Sequence, residues 1–275
     1  MKRILTILGV FAALLALTAC GRGEGGAAGY GAGGGQSLRQ GSTSPLHSSI
    51  AQDETYQKLL GINIILYPPP IDDPKFDLFG KAHWELDSTE LTQAAQAAFR
   101  GEMGEQVVYE PKVEALQGLP FVEQIKQTIY GGKAVQVGWA YGKNANLDFM
   151  ETNGVTVTVI PVYNAVYFIG GKADVDPTTW LYPVKKAQAF YFPANSVAEL
   201  LPDTLRSAPI RVADETGQLT IIVVPEGVAV GTASAGTGFD QALAAASRWV
   251  FAFPDNPFGF YAGLDGKNIN INAVD

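Results

Sequence analysis

The chain has 275 residues, 47% of them hydrophobic, and its 27 acidic residues outnumber its 19 basic residues to give a formal net charge of −8. No stretch clusters Lys and Arg as phosphate binding requires, so nucleic acid is excluded as a partner. Cys20 is the single cysteine of the chain, which excludes an intramolecular disulfide whatever the redox compartment.

The first 20 residues predict export and lipid attachment. Lys2 and Arg3 precede an apolar run over residues 4–17, which is shorter than the roughly 20 residues of a membrane-spanning helix and is typical of a signal peptide, here residues 1–19. Leu17-Thr18-Ala19-Cys20 resembles the bacterial lipobox, which implies cleavage before Cys20 and attachment of lipid to its thiol. We therefore expect an extracytoplasmic protein whose partner is membrane lipid. The anchor lies in the cell membrane or, in a cell with two membranes, in the outer membrane.

Cleavage of the leader leaves the lipidated cysteine followed by a flexible tether, together residues 20–50. Losing Lys2 and Arg3 leaves 17 basic against 27 acidic residues in the mature chain, a net charge near −10. The tether is rich in Gly, Ala, Ser and Gln, and some 30 such residues have a mean reach of about 30 Å. A phosphate-binding glycine loop is not indicated, because no strand precedes the glycines and no Lys-Ser/Thr pair closes them.

The rest of the chain predicts an N-terminal arm with a helix, residues 51–112, followed by a β-barrel domain, residues 113–275. Pro68-Pro69-Pro70 indicates extended backbone, and Ser88 is placed to cap a helix over residues 90–99. Short apolar segments separated by Gly, Pro, Asn and Asp then predict strands. These are residues 134–141, 147–151, 155–159, 165–169, 187–192, 196–200, 210–213 and 220–224.

The strand pattern predicts a mainly β fold, a barrel or jelly roll. A final helix is expected over residues 239–251, with Leu243, Ala246, Val250 and Phe251 covering one face of the barrel. The fold class is thus a mainly β barrel or jelly roll with an N-terminal arm and helix and a C-terminal helix.

Short motifs along about three quarters of the chain resemble an uncharacterised branch of the cupin superfamily. They include Gly118-Leu119-Pro120, Tyr130-Gly131-Gly132, Gln136-Val137-Gly138, Phe192-Pro193-Ala194, Thr204-Leu205 and Val224-Pro225-Glu226-Gly227. The resemblance implies a small β-barrel with a metal-type motif in its interior and frequent formation of homodimers.

This chain departs from the metal motif of these relatives at several positions. Their Glu-x-His-x-x-x-Glu appears here as Glu151, Asn153 and Val157, while Glu199 is kept and Arg206 stands at the last His position. Arginine stays protonated and valine has no lone pair, so neither can bind a metal ion. We therefore expect no metal and no cofactor, and we expect Arg206 to pair with Glu151 or Glu199.

Two further side chains, Lys186 and Gln136, extend the candidate ligand site. The resemblance matches Lys186 to a lysine at the barrel mouth, and Gln136 stands among aromatic residues that suit a sugar. The candidate binding set is therefore Glu151, Asn153, Glu199, Arg206, Gln136 and Lys186. His83 lies upstream in the arm and is expected to be packed or exposed rather than a ligand.

Three functions fit this sequence. The first is a metal-free domain that binds a small polar ligand, a sugar or sugar acid, or a cell-surface partner. The second is an isomerase or lyase acting on a carbohydrate or ureido acid, with Glu151 and Glu199 as acid and base or with a rebuilt metal site. The third is a structural envelope protein whose barrel is filled by side chains.

Overall fold

The computed structural model describes residues 50–228, 243–245, 248–256 and 259–275. The predicted leader, the lipidation site Cys20 and the tether up to residue 49 lie outside the described residues. Within the described ranges, no helix has both the length and the apolar character needed to cross a membrane.

The α-helices whose bounds lie within the described residues precede most of the strands and are α1 (Glu54–Ile62), α2 (Thr89–Ala98) and α3 (Pro120–Thr128). The helix predicted over residues 90–99 is confirmed as α2. Ser88 occupies its N-cap, but the Ser88 hydroxyl donates to the carbonyl oxygen of Asn195 instead of capping the helix. In α1 the cap is regular, since Asp53 Oδ1 accepts the Tyr56 N–H at 2.8 Å.

Each of the eight predicted strands overlaps an observed strand, and further short strands complete the sheets. The strands are β1 (Gly80–Ala82), β2 (Val108–Glu110), β3 (Val135–Gly142), β4 (Phe149–Thr152), β5 (Val157–Pro161), β6 (Ala165–Gly171), β7 (Tyr182–Pro183), β8 (Gln188–Phe192), β9 (Ala198–Leu200), β10 (Thr204–Ser207), β11 (Ile210–Arg211), β12 (Gln218–Pro225), β13 (Leu243–Ala245), β14 (Arg248–Ala252) and β15 (Leu264–Asp265).

The strands form two antiparallel sheets and one short parallel pair. The first sheet has the order β1-β9-β5-β12-β3-β2, and the second has the order β11-β6-β10-β4-β14-β13 with β8 beside β6. β7 and β15 form the parallel pair. The predicted mainly β fold with the two antiparallel sheets of a jelly roll is confirmed, and two strands of the predicted arm, β1 and β2, form the edges of the first sheet.

The helix predicted over residues 239–251 is wrong in its described part, which consists of β13 and β14. β14 pairs with β4, placing Val250 opposite Glu151 and Ala252 opposite Phe149. A helix would put Val250 and Phe251 on one face. The observed strand instead turns Val250 towards the space between the sheets and Phe251 towards the outer layer, because neighbouring side chains in a strand alternate.

The two sheets enclose an interior and are covered on their outer faces. The interior is mainly apolar and includes Val157, Tyr167, Phe190, Ile222 and Val250. A second cluster joins α2 and α3 to the outer face of the first sheet, and a third joins α1 and the C-terminal segment to the outer face of the second. Strands buried on both faces read as continuous apolar runs, as β6 does.

Candidate functional site

A buried ionic cluster lies between the sheets, at the centre of the second sheet. Glu151 belongs to β4, which has β10 on one side and β14 on the other. Arg206 of β10 stands directly opposite Glu151, and Arg248 of β14 stands one diagonal step away. The neighbours of these residues on the same strand faces, Phe149 and Val250, belong to the interior core. All three charged side chains therefore point inward.

The contacts within the cluster are direct. Arg206 Nη2 donates to Glu151 Oε1 at 3.0 Å and to Asn153 Oδ1 at 3.0 Å. Arg248 Nε donates to Glu151 Oε2 at 2.6 Å, and Arg248 Nη2 forms an ion pair with the same oxygen. Of the two predicted partners of Arg206, Glu151 and Glu199, the structure shows Glu151.

Burial makes the charges of this cluster energetically important. The side chains of Glu151, Arg206 and Arg248 are 1%, 3% and 1% exposed. Burial by itself raises the pKa of the Glu151 carboxyl, but the charges of Arg248 and Arg206 and the hydrogen bond from Arg248 outweigh it and hold the pKa below its ordinary value. The carboxylate is therefore ionised, and one anion faces two permanent cations.

The surroundings of the cluster add hydroxyl groups, and among the described residues the cluster retains an unpaired N–H donor on Arg248. Burial, followed by the charge of Glu151, raises the pKa of Tyr109 well above its ordinary value, and burial likewise raises that of Tyr167. Both phenols therefore keep their protons and can donate hydrogen bonds. Arg248 Nη1 is buried and has no hydrogen-bond partner among the described residues.

Glu199 does not join this cluster, so the predicted pair of Glu151 and Glu199 as acid and base is wrong. Its strand neighbours Ala198 and Leu200 fill the interior, and alternation turns Glu199 to the opposite face of the first sheet. There Glu199 Oε2 lies 2.8 Å from Nε2 of His83. His83 is a packed histidine, as predicted, and its Nδ1 lies 2.9 Å from Glu85 Oε1.

Two further candidates for ligand binding are also placed apart from the cluster. The Gln136 amide donates to the carbonyl oxygens of Pro111 at 3.1 Å and of Val228 at 3.4 Å. Lys186 lies on the surface, 3.5 Å from Asp174. Of the six residues of the candidate binding set, the structure therefore brings Glu151, Asn153 and Arg206 together and leaves Glu199, Gln136 and Lys186 elsewhere.

The cluster does not offer the donor set that the metal motif requires. Val157 is buried in the interior apolar core, at the position where the motif has its second carboxylate. A metal ion would need a free lone pair on Glu151 Oε1, but this oxygen accepts a hydrogen bond from Arg206. Within the described ranges, no group of three His, Cys, Asp or Glu residues is suited to a metal ion. The residues present do not fit the metal of the resembling proteins.

Arg248 is the functional candidate that the sequence analysis missed. It lies in the segment interpreted as a helix, where a charged residue is expected to face solvent. The signal that was available is alternation: in Arg248-Trp249-Val250-Phe251-Ala252 a cation shares the period-two face of Val250 and Ala252. A strand interpretation of the same segment places Arg248 in the interior.

Comparisons with known proteins describe the chain as follows. The family model described as "Domain of unknown function (DUF4867)" matches residues 69–269. No curated protein matches the chain by sequence.

Solved structures with similar regions include oxalate decarboxylase of Bacillus subtilis, a protein with Mn(II) centres, at 8% identity over 54% of this chain and 31% of that chain with a TM-score of 0.30. They also include the non-haem α-ketoglutarate-dependent epimerase SnoN of nogalamycin biosynthesis, at 16% identity over 56% of this chain and 84% of that chain with a TM-score of 0.35. The chain thus spans about a third of the length of the oxalate decarboxylase.

Proposed function

We propose that this chain, which belongs to the DUF4867 family, is a lipid-anchored extracytoplasmic protein whose cupin-like domain binds a small organic acid of the sugar-acid class without a metal. The observation that carries the ligand proposal is the buried cluster of Glu151, Arg206 and Arg248, in which two guanidinium groups face one carboxylate.

A surplus positive charge in a desolvated interior favours an anion. Burying an uncompensated charge costs several kcal/mol, so a second carboxylate beside the cluster would offset part of that cost. Guanidinium groups bind carboxylates through parallel N–H donors, and Arg248 Nη1 is free to donate among the described residues. The ligand carboxylate is therefore assigned to the Arg248 side of the cluster.

The remaining polar groups suit the hydroxyls of a sugar. Tyr109 and Tyr167 keep their phenolic protons. The charges of Glu151, Arg206 and Arg248 act on Tyr109, and those of Glu151 and Arg206 act on Tyr167. A phenol both donates and accepts a hydrogen bond, as a sugar hydroxyl does, and an aromatic ring packs against the apolar face of a sugar ring. The carboxylate of the ligand is recognised by its charge, and hydrogen bonds between its hydroxyl groups and the two phenols fix its orientation.

The anchor is supported by the sequence of residues 1–20. A short apolar leader that ends in Leu-Thr-Ala-Cys supports cleavage and lipid attachment at Cys20. Intact-mass measurement of the purified membrane form tests this directly. The expected mass is that of the chain starting at Cys20 plus acyl groups, and a mass without lipid would overturn this part of the proposal.

Ligand binding is tested by calorimetry on the full-length protein in detergent, with hexuronic and aldonic acids against the corresponding neutral sugars. We expect heat of binding from acids and none from the neutral sugars. Arg248→Met should weaken acid binding by 10-fold or more, since a charge-assisted hydrogen bond contributes about 1.5–3 kcal/mol and 1.4 kcal/mol is a factor of ten.

Lys186→Met is the matched control, because it removes a surface cation paired with Asp174 and leaves the cluster intact. Equal binding of acids and neutral sugars, or equal losses in the two variants, would contradict the proposal. Elemental analysis of protein purified without chelators gives a separate check. A transition metal present at nearly one atom per chain would contradict the metal-free site.

A further inference from the structure

A contiguous apolar ridge is exposed where α1 ends. Its side chains are Ile62, Ile64, Ile65 and Tyr67, which are 47%, 77%, 97% and 61% exposed. Single apolar side chains are common on protein surfaces, but a contiguous apolar patch marks a site of contact with a partner or a membrane. We call these four residues the isoleucine ridge.

The ridge is held in its exposed position by a buried asparagine. Asn63 Nδ2 donates to the Leu59 carbonyl at 3.0 Å and to the Asn272 carbonyl at 2.9 Å, and Asn63 Oδ1 accepts the Asn272 N–H at 2.9 Å. The Asn63 carbonyl accepts the N–H groups of Leu66 and Tyr67, both at 3.0 Å. These bonds fix the turn, so the isoleucines do not fold back onto the protein.

The groove beside the ridge is lined, among the described residues, by apolar and amide side chains and one cation. The C-terminal segment forms the opposite wall of an open groove of about 850 Å³ and contributes Lys267, Asn268, Asn270 and Asn272. None of the described residues that line the groove is acidic, although the whole chain has a net charge of −8. Apolar tips, an aromatic hydroxyl, amides and a lysine form the combination that suits the interface between acyl chains and headgroups.

The length of the N-terminal segment decides which partner this surface meets. About 30 residues separate Cys20 from Ile50, and their composition predicts a mean reach of about 30 Å. Within the described residues, α1 leads directly to the ridge. A nine-residue helix is about 14 Å long. Lipid on Cys20, as in the proposed function, would therefore place a bilayer within about the tether's mean reach of the start of the domain.

We propose that the isoleucine ridge inserts into the leaflet that holds the lipid of Cys20, so that the domain lies on the membrane with a fixed orientation. This inference rests on the lipid anchor of the proposed function. Insertion of the ridge does not depend on a ligand in the domain interior.

The experiment uses the full-length lipidated protein carrying Ile65→Cys. Cys20 is the only native cysteine and its thiol carries the lipid, so an environment-sensitive fluorophore attaches at position 65 alone. In phosphatidylcholine vesicles with nitroxide-labelled lipids, we expect a blue-shifted emission and quenching by the nitroxides. Leu78→Cys is the matched control, because Leu78 is 72% exposed and lies outside the ridge, and its probe should stay unquenched.

Water-like emission at both positions would overturn the inference. Blue-shifted emission that depends on protein concentration and ignores the nitroxides would also overturn it, because it would assign the ridge to a second copy of the chain. A second variant, Ile64→Asn with Tyr67→Asn, should abolish quenching of the probe at position 65, and unchanged quenching counts against insertion. Intact mass of the same sample reports the lipid on Cys20, so failure of the anchor is distinguished from failure of the ridge.

Discussion

Replacing Glu151 by Gln tests the charge balance of the interior. The substitution keeps the size of the side chain and removes the one carboxylate that, among the described residues, contacts both Arg206 and Arg248, whose side chains are 3% and 1% exposed. Removing one partner of a buried ion pair costs about 3–5 kcal/mol, because the remaining charge stays buried without compensation. For a domain of this size, 1 kcal/mol corresponds to roughly 2–4 °C, so we expect Tm to fall by roughly 6–20 °C.

The assay is urea unfolding at pH 7, followed by tryptophan fluorescence, with thermal unfolding as a second measurement. Glu85→Gln is the control, since Glu85 is 59% exposed and its loss should change the unfolding free energy by less than about 1 kcal/mol. In a background of Arg248→Met, the same Glu151→Gln change should cost less, because a single guanidinium then remains uncompensated. A loss below about 1 kcal/mol in the wild-type background would refute the charge argument.

The pH dependence of stability should follow the same carboxylate. Burial raises the pKa of Glu151, but the two arginines outweigh burial and hold the pKa below the ordinary value of 4.5. Above about pH 5, the unfolding free energy of the wild type should therefore exceed that of the Gln variant by a constant amount. That difference should shrink as the pH falls through the folded-state pKa of Glu151. A difference that stays constant in urea titrations between pH 7 and 3 would contradict this expectation. His83→Leu leaves Glu199 without its histidine partner and should lower the unfolding free energy by about 1.5–3 kcal/mol, whereas no change in urea unfolding would mean that the contact is not stabilising. Gly138→Ala places a Cβ 2.3 Å from the carbonyl oxygen of Glu110 and should cost about 1–3 kcal/mol in thermal unfolding. The control Gly104→Ala meets no atom within 4 Å and should stay within about 0.5 kcal/mol of wild type.

The strand pattern could be predicted because local chemistry decides it. Short apolar runs between turn-forming residues have few other stable arrangements, and all eight predicted strands overlap observed ones. The helix predicted over residues 239–251 is wrong for the opposite reason. No Gly or Pro interrupts residues 239–251, so their apolar pattern fits both a helix and a strand, and pairing of β14 with β4 decides between them.

The sequence by itself predicted that Arg206 pairs with one of the two retained carboxylates, Glu151 or Glu199, since arginine at a ligand position calls for an ion pair, and the structure selects Glu151. It could not determine the place of Glu199, because the face on which a strand residue lies depends on the register of its sheet, and here Glu199 faces His83. Arg248 is distant from Glu151 in sequence and reaches it because β14 pairs with β4. The surplus charge of the interior was therefore decided by the tertiary structure alone, because it depends on which strands become neighbours.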